Sequence, residues 1–193
     1  RLKEQGQLAR VQDDQEIARL RADYQSSALR PVLDTLGRER LVVVLGDPGS
    51  GKTSLLKYRV MEWTEEDRGP LPIWVDFKEY VRERKGLLKY AESGCAAYRL
   101  DAGEVEKRLK AGEAALYLDG LDEIFEGPAR GSVIEEIAAF ASRYVAAPVV
   151  VTSRIIGYEP ERLRNAGFTH ATLEDFDDEQ VWECLHKWHL VAE

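Results

Sequence analysis

The pattern of apolar and polar positions divides the chain into a polar opening stretch and a series of short apolar runs separated by amphipathic ones. Over residues 1–40, Leu8, Val11, Ile17, Leu20 and Tyr24 fall at loose helical spacing among basic and acidic side chains in near balance. This predicts a solvated helix, a turn, and a short helix from Pro31 to Leu36. Pro31 suits its first helical position and Gly37 its end. At Leu41 the texture changes. Leu41-Val42-Val43-Val44-Leu45 has no polar position, the pattern of a strand buried on both faces. Further strands are predicted at Pro72–Asp76, at Ala114–Leu118 running into Asp119, at Pro148–Thr152 and at Thr169–Leu173. Between them the spacing predicts helices over Gly51–Glu66, over residues 77–112 with breaks at Gly86, Gly94 and Gly103, and over Ser132–Tyr144. A last helix is expected at Asp177–Leu190, capped by Asp177 or Asp178. Trp182 and Trp188 are expected to pack it on the core. Strands that alternate with helices imply an α/β fold with a parallel sheet covered on both faces.

The composition fits one such unit. The chain has 193 residues, 44% of them hydrophobic, enough for a core of ordinary size. Charged residues make up 32%, and the net charge is −8. An acidic balance speaks against nucleic acid as the principal partner, since that role favours basic patches. No apolar stretch approaches the roughly 20 residues of a membrane span. The richest, Ile137–Val151, is broken by Ser142, Arg143 and Pro148. No signal peptide opens the chain, and it begins without Met, so it reads as a piece of a longer protein. Cys95 and Cys184 alone make no disulfide framework, and a cytoplasmic location is expected.

Three segments carry chemistry. Gly46-Asp47-Pro48-Gly49-Ser50-Gly51-Lys52-Thr53 has the spacing G-x-x-x-x-G-K-[ST], after a buried strand and before a helix. Glycines let backbone N–H groups turn toward phosphate oxygens, and the helix N-terminus adds partial positive charge. Lys52 is expected to reach the β- and γ-phosphates and Thr53 to offer a hydroxyl to Mg²⁺. The nucleotide-binding set is therefore Gly46, Asp47, Pro48, Gly49, Ser50, Gly51, Lys52, Thr53 and Ser54. In the second segment, Leu116 to Glu123, a buried strand ends in Asp119, where ligands bind in open α/β sheets. Asp119 is expected to hold Mg²⁺ through water. Glu123 is the first choice for the general base that polarises the attacking water, with Asp122 the other. Asp122 has two further options, the metal shell or orienting a side chain. In the third, Val149 to Arg154, the guanidinium of Arg154 is expected to contact the γ-phosphate. Its plain alternative is a surface ion pair. Cys184, His186 and His189 share one predicted helix but do not make a closed metal site.

Together these segments resemble the NACHT family of signal-transduction NTPases, within the STAND class, over residues 41 to about 190. The block ending Asp119-Gly120-Leu121-Asp122-Glu123 is the specific part. Ile155-Ile156-Gly157-Tyr158 and Leu173 to Gln180 look like bacterial members in particular. The resemblance implies a three-layer αβα P-loop NTPase with one strand between the P-loop strand and the strand that ends at Asp119. The mixed charge and sparse apolar stripe of 1–40 read as a helical linker rather than an autonomous module, with the core expected over 41–173 and the start of a following helical domain over 174–193. The resemblance assigns Lys52 and Thr53 to phosphate and Mg²⁺, Asp119 to Mg²⁺, Glu123 to the base and Arg154 to a γ-phosphate sensor. It also implies slow ATP hydrolysis as a switch that controls self-association of a longer protein with fused effector and sensor domains. Such proteins serve innate immunity, including bacterial antiphage defence. ATP and ADP are preferred over GTP because no Asn-Lys-x-Asp guanine-reading motif is present. No membrane or nucleic-acid partner is expected. Ile155 stands where the family often has Pro, and the winged-helix segment that usually supplies a phosphate-contacting His is not in this chain. Two other functions compete: a scaffold that holds nucleotide without hydrolysing it, and a small-molecule kinase. The kinase needs an arginine-rich lid, whereas Arg162 and Arg164 read as a loop and helix start.

Overall fold

The computed structural model describes residues 31–66, 69–83, 85–96, 100–124, 127–182 and 186. In chain order the elements are α1 (Val32–Arg38), β1 (Leu41–Leu45), α2 (Lys52–Glu66), β2 (Leu71–Asp76), α3 (Phe77–Glu83), α4 (Leu87–Ala96) and α5 (Ala102–Ala111). Then follow β3 (Ala114–Asp119), a 3₁₀ turn (Leu121–Glu123), α6 (Gly127–Arg143), β4 (Val149–Ser153), α7 (Pro160–Asn165) and β5 (Thr169–Thr172). The five strands form one parallel sheet in the order β2-β3-β4-β1-β5. One strand, β4, lies between β1 and β3, as the resemblance implied. Because every strand runs the same way, the carboxyl ends of β1, β3 and β4 share one edge of the sheet. That edge receives Gly46, Asp119 and Arg154.

Alternate residues of the central strands feed two cores. Val43, Leu45, Leu116, Leu118, Val149 and Val151 face one side and meet Phe77, Leu87, Val105, Leu109, Ile137, Phe140 and Leu163 from α3 to α7. Val42, Val44, Ala115, Tyr117 and Val150 face the other and meet Leu56 of α2, with Leu36 of α1 against them. All five residues of β1 and of β4 are buried, which is why neither strand carries the alternation of a half-exposed one. Arg40 fastens the start of β1 to the end of α6. Its Nη1 donates to the carbonyls of Ala141, Tyr144 and Ala147 at 3.4, 3.3 and 3.1 Å.

The structure moves several predicted boundaries. Gly86 does separate two helices, but Gly94 and Gly103 lie inside α4 and α5. A glycine inside a helix costs only about 1 kcal/mol, and in α4 the burial of Leu87, Ala91 and Cys95 outweighs it. Asp101 opens α5 instead, its carboxylate accepting the Glu104 N–H at 2.7 Å. Helix α6 begins at Gly127 rather than Ser132. Helix α1 runs through Gly37 to Arg38, and Pro31 takes the capping position before it. Residues 178–182 and 186 are helical. Asp177 is their cap. It accepts the Gln180 N–H at 2.8 Å, and the Gln180 side chain accepts the Asp177 N–H at 3.1 Å. Trp182 is 65% exposed, so it does not pack on the core. The helix expected over residues 8–24, and Cys184, Trp188 and His189, lie outside the described residues. Among the described residues no helix is long and apolar enough to cross a membrane.

Candidate functional site

The loop after β1 is shaped by three glycines. Gly49 and Gly51 have φ of +86° and +91°, a left-handed conformation that side chains with a Cβ rarely adopt. Gly46 answers a different need, since a Cβ there would lie 2.3 Å from Ser50 Oγ. Between them Ser50 N–H donates to the Asp47 carbonyl at 3.1 Å, closing the turn. The loop delivers the chain to Lys52, the first residue of α2, whose first turn carries no acidic side chain to repel an anion. The Lys52 ammonium folds back into the loop and donates to Gly46 O at 2.8 Å, Asp47 O at 2.9 Å and Ser50 Oγ at 3.4 Å. Burial holds its pKa below the usual lysine value. Asp122 opposes that shift, Arg154 adds to it, and Asp119 and Asp47 oppose it. Ser54 is exposed in the first turn of α2.

Asp119 is gripped from two sides. Thr53 Oγ1 donates to its Oδ2 at 2.9 Å and Thr152 Oγ1 donates to its Oδ1 at 2.6 Å. Thr152 is fully buried and also accepts the Gly120 N–H at 2.9 Å. Three elements, α2, β3 and β4, therefore meet at one carboxylate. The pairing of a hydroxyl and a carboxylate, both hard oxygen donors, suits Mg²⁺.

Beyond Asp119 the chain turns sharply at Gly120, φ +81°, and Leu121 is buried as the anchor of the turn. Glu123 N–H donates to Gly120 O at 2.9 Å. The Glu123 side chain lies back over Gly120, with its Cγ 3.2 Å from where a Cβ would stand. Asp122 and Glu123 then part ways. Asp122 is committed to Arg154: its Oδ1 accepts the Arg154 backbone N–H at 3.0 Å and its Oδ2 lies 2.8 Å from Nε. Glu123 is exposed, and among the described residues nothing hydrogen-bonds its carboxylate. The contact of Asp122 is with the backbone and side chain of Arg154.

Asp122, Glu123 and Arg154 border a cleft of about 440 Å³. Asp47 and Pro48 form one wall, Asp122 and Glu123 another, and Lys78, Arg130, Arg154 and Ile156 complete it. Thr152, Lys78 and Arg130 were not singled out by the sequence. For Thr152 a signal existed, a polar residue closing an apolar strand. Lys78 lies beside Asp76 and Glu79, and Arg130 stands alone between Ala129 and Gly131, so neither carries one.

The loop after Arg154 is tied to the sheet through Tyr158. His170 Nδ1 lies 3.1 Å from the Phe168 carbonyl, which can only accept, so Nδ1 holds the proton. Nε2 then accepts from the Tyr158 hydroxyl at 2.8 Å. Burial depresses the His170 pKa, Arg164 adds to that, and the Phe168 carbonyl opposes it. The unfolded chain, titrating near about 6.5, then binds a proton that the folded chain resists. This contribution to stability is complete above that pH and is lost as pH falls through it. Between pH 7.5 and 5.5 the unfolding midpoint in urea is expected to drop. His170→Gln should flatten that dependence, and an unchanged slope would contradict the assignment.

The sequence profile of the NACHT domain matches residues 40–191. Among solved structures, AMPPCP-bound DnaA from Aquifex aeolicus is similar with a TM-score of 0.48 and 15% identity, over 80% of this chain and 46% of that one. A chain of Drosophila ORC bound to GC-rich DNA and Cdc6 is similar with a TM-score of 0.40 and 12% identity, over 85% of this chain and 31% of that one. This chain thus spans less than half the length of either. None of the curated proteins compared matches it. The profile runs through most of the chain and takes in the three segments gathered at the carboxyl edge of the sheet. The chain belongs to the NACHT family of P-loop NTPases.

Proposed function

We propose that this NACHT domain binds ATP and ADP with Mg²⁺ and hydrolyses ATP slowly, as a switch that governs self-association of a longer signalling protein. The observation that carries the reading is the Thr53 hydroxyl 2.9 Å from the Asp119 carboxylate, beside the loop that Lys52 closes. Glu123, whose carboxylate has no hydrogen bond among the described residues, lines the cleft that Asp47 and Pro48 of the same loop border. In this reading residues 41–173 are the nucleotide-binding core, 1–40 a linker and 174–193 the start of a helical domain. The family resemblance extends it to fused effector and sensor domains and to defence signalling, including defence against phage.

Phosphate oxygens would replace Gly46 O, Asp47 O and Ser50 Oγ as partners of the Lys52 ammonium. Because burial already disfavours the charged amine, an arriving anion gains more from it than from a solvated lysine. Thr53 and Asp119 would hold Mg²⁺, which supplies neutralisation of charge on the phosphate oxygens when bound. Glu123 takes the proton of the attacking water as its oxygen bonds to the γ-phosphorus, and the bond to the β-phosphate oxygen breaks to leave ADP. Asp122 uses the backbone N–H and Nε of Arg154, which among the described residues leaves both terminal nitrogens of that guanidinium for a γ-phosphate. ATP is preferred over GTP on the absence of the guanine-reading motif.

Steady-state phosphate release from saturating ATP tests the switch. A switch must keep its signal, so turnover should fall well below the roughly 10 per second of an ordinary enzyme, and chelation of Mg²⁺ should abolish it. Turnover at or above that rate rejects the switch.

A further inference from the structure

We propose that Arg130 is a positioning residue whose guanidinium locks the turn carrying Glu123 to the loop following Arg154, so that the two move as one body. The inference rests on the roles given above to Glu123 and Arg154. Arg130 lies at the start of α6, a helix fixed in the core through Ile134, Ile137 and Phe140. Its Nε donates to Ile124 O at 3.0 Å, and its Nη2 donates to Ile124 O at 2.8 Å and to Asp122 O at 3.3 Å. Its Nη1 donates to Gly157 O at 2.9 Å. The first two carbonyls stand on either side of Glu123, and the third belongs to the loop that begins at Arg154.

A second bridge spans the same two segments, the Asp122 carboxylate on the backbone and Nε of Arg154. The turn and the loop are thus joined at both ends, by a carboxylate at Arg154 and by a guanidinium at Gly157. The Tyr158 hydroxyl, next in the chain, is held by His170. A shift of Arg154 when a γ-phosphate arrives or leaves must then carry Glu123 with it. Arg130 makes these four hydrogen bonds from three nitrogens spread across a planar fork, a geometry that the three donors of a single lysine nitrogen do not reproduce.

Amide hydrogen exchange on the full chain tests the lock in Arg130→Ala and Arg130→Lys. The reporters are the amides of Glu123, Ile124 and Tyr158, which close their turns on Gly120, Leu121 and Ile155. Both variants should exchange about tenfold faster at all three, with β1 and β4 unchanged. Maximal phosphate release should fall about a hundredfold, since a small misplacement of a base costs that much. Methylguanidinium should restore part of the release to Arg130→Ala and none to Arg130→Lys. Faster exchange at only one of the two segments, faster exchange throughout the sheet, or release at the wild-type rate would overturn the proposal. If Glu123→Gln turned over like wild type, the role of Glu123 would fail by itself, and the exchange result would still decide whether the lock exists.

Discussion

Glu123→Gln is expected to bind ATP as tightly as wild type and to release almost no phosphate. The substitution keeps size and shape, and Glu123 is exposed with no hydrogen bond to its carboxylate among the described residues, so the fold has nothing to lose. What changes is the ability to take a proton from water. General-base catalysis is worth about a hundredfold to ten-thousandfold, and phosphate release should fall by that much. The split is the informative part: affinity retained and the chemical step lost marks a group that acts in the transition state. If Glu123→Gln released phosphate at the wild-type rate, the base would lie elsewhere. If neither wild type nor Glu123→Gln released phosphate above the rate without protein, the non-hydrolysing scaffold would be the better account.

Lys52→Ala is expected to weaken ATP binding by at least about a hundredfold. The ammonium folds into the loop after β1, and its three contacts there are to neutral oxygens that a phosphate would displace. Hydrogen bonds to charged groups contribute about 1.5–3 kcal/mol each, so losing those to two phosphates weakens ATP by about a hundredfold or more. The fold should survive, because the glycines and the buried β1 shape the loop without the lysine. Thermal unfolding separates the two effects. ATP should raise the midpoint of wild type through linkage and raise that of Lys52→Ala much less. A midpoint that rises equally in both would remove Lys52 from the binding site.

Much of the fold could be read from the sequence because its decisive elements are contiguous. The five apolar residues of β1, the apolar run of β3 into Asp119, and β4 before Arg154 each carry their signal within a few positions. The glycine spacing from Gly46 to Thr53 is likewise local. What could not be read is set by packing or by distance along the chain. Gly94 breaks nothing, since a Cβ there would meet open space and the buried face of α4 decides the helix. Thr152 meets Asp119 across 33 positions, and Arg130 meets Gly157 across 27. A lone threonine or arginine announces neither contact. The division of labour between Asp122 and Glu123 was open in the sequence for the same reason: neighbours in the chain, they differ only in what the fold brings to each. Trp182 misled in the opposite direction, since a large apolar side chain suggests burial and this one stands in solvent.

The central claim is that the cleft beside Lys52, Thr53 and Asp119 takes a nucleoside triphosphate with its metal. Calorimetric titration of ATP into the full chain, with Mg²⁺ and again with the metal chelated, tests it most directly. The account predicts saturable binding of one ATP per chain that Mg²⁺ tightens and Lys52→Ala weakens by at least about a hundredfold. Absence of binding under both conditions, or binding that Lys52→Ala leaves intact, would contradict it.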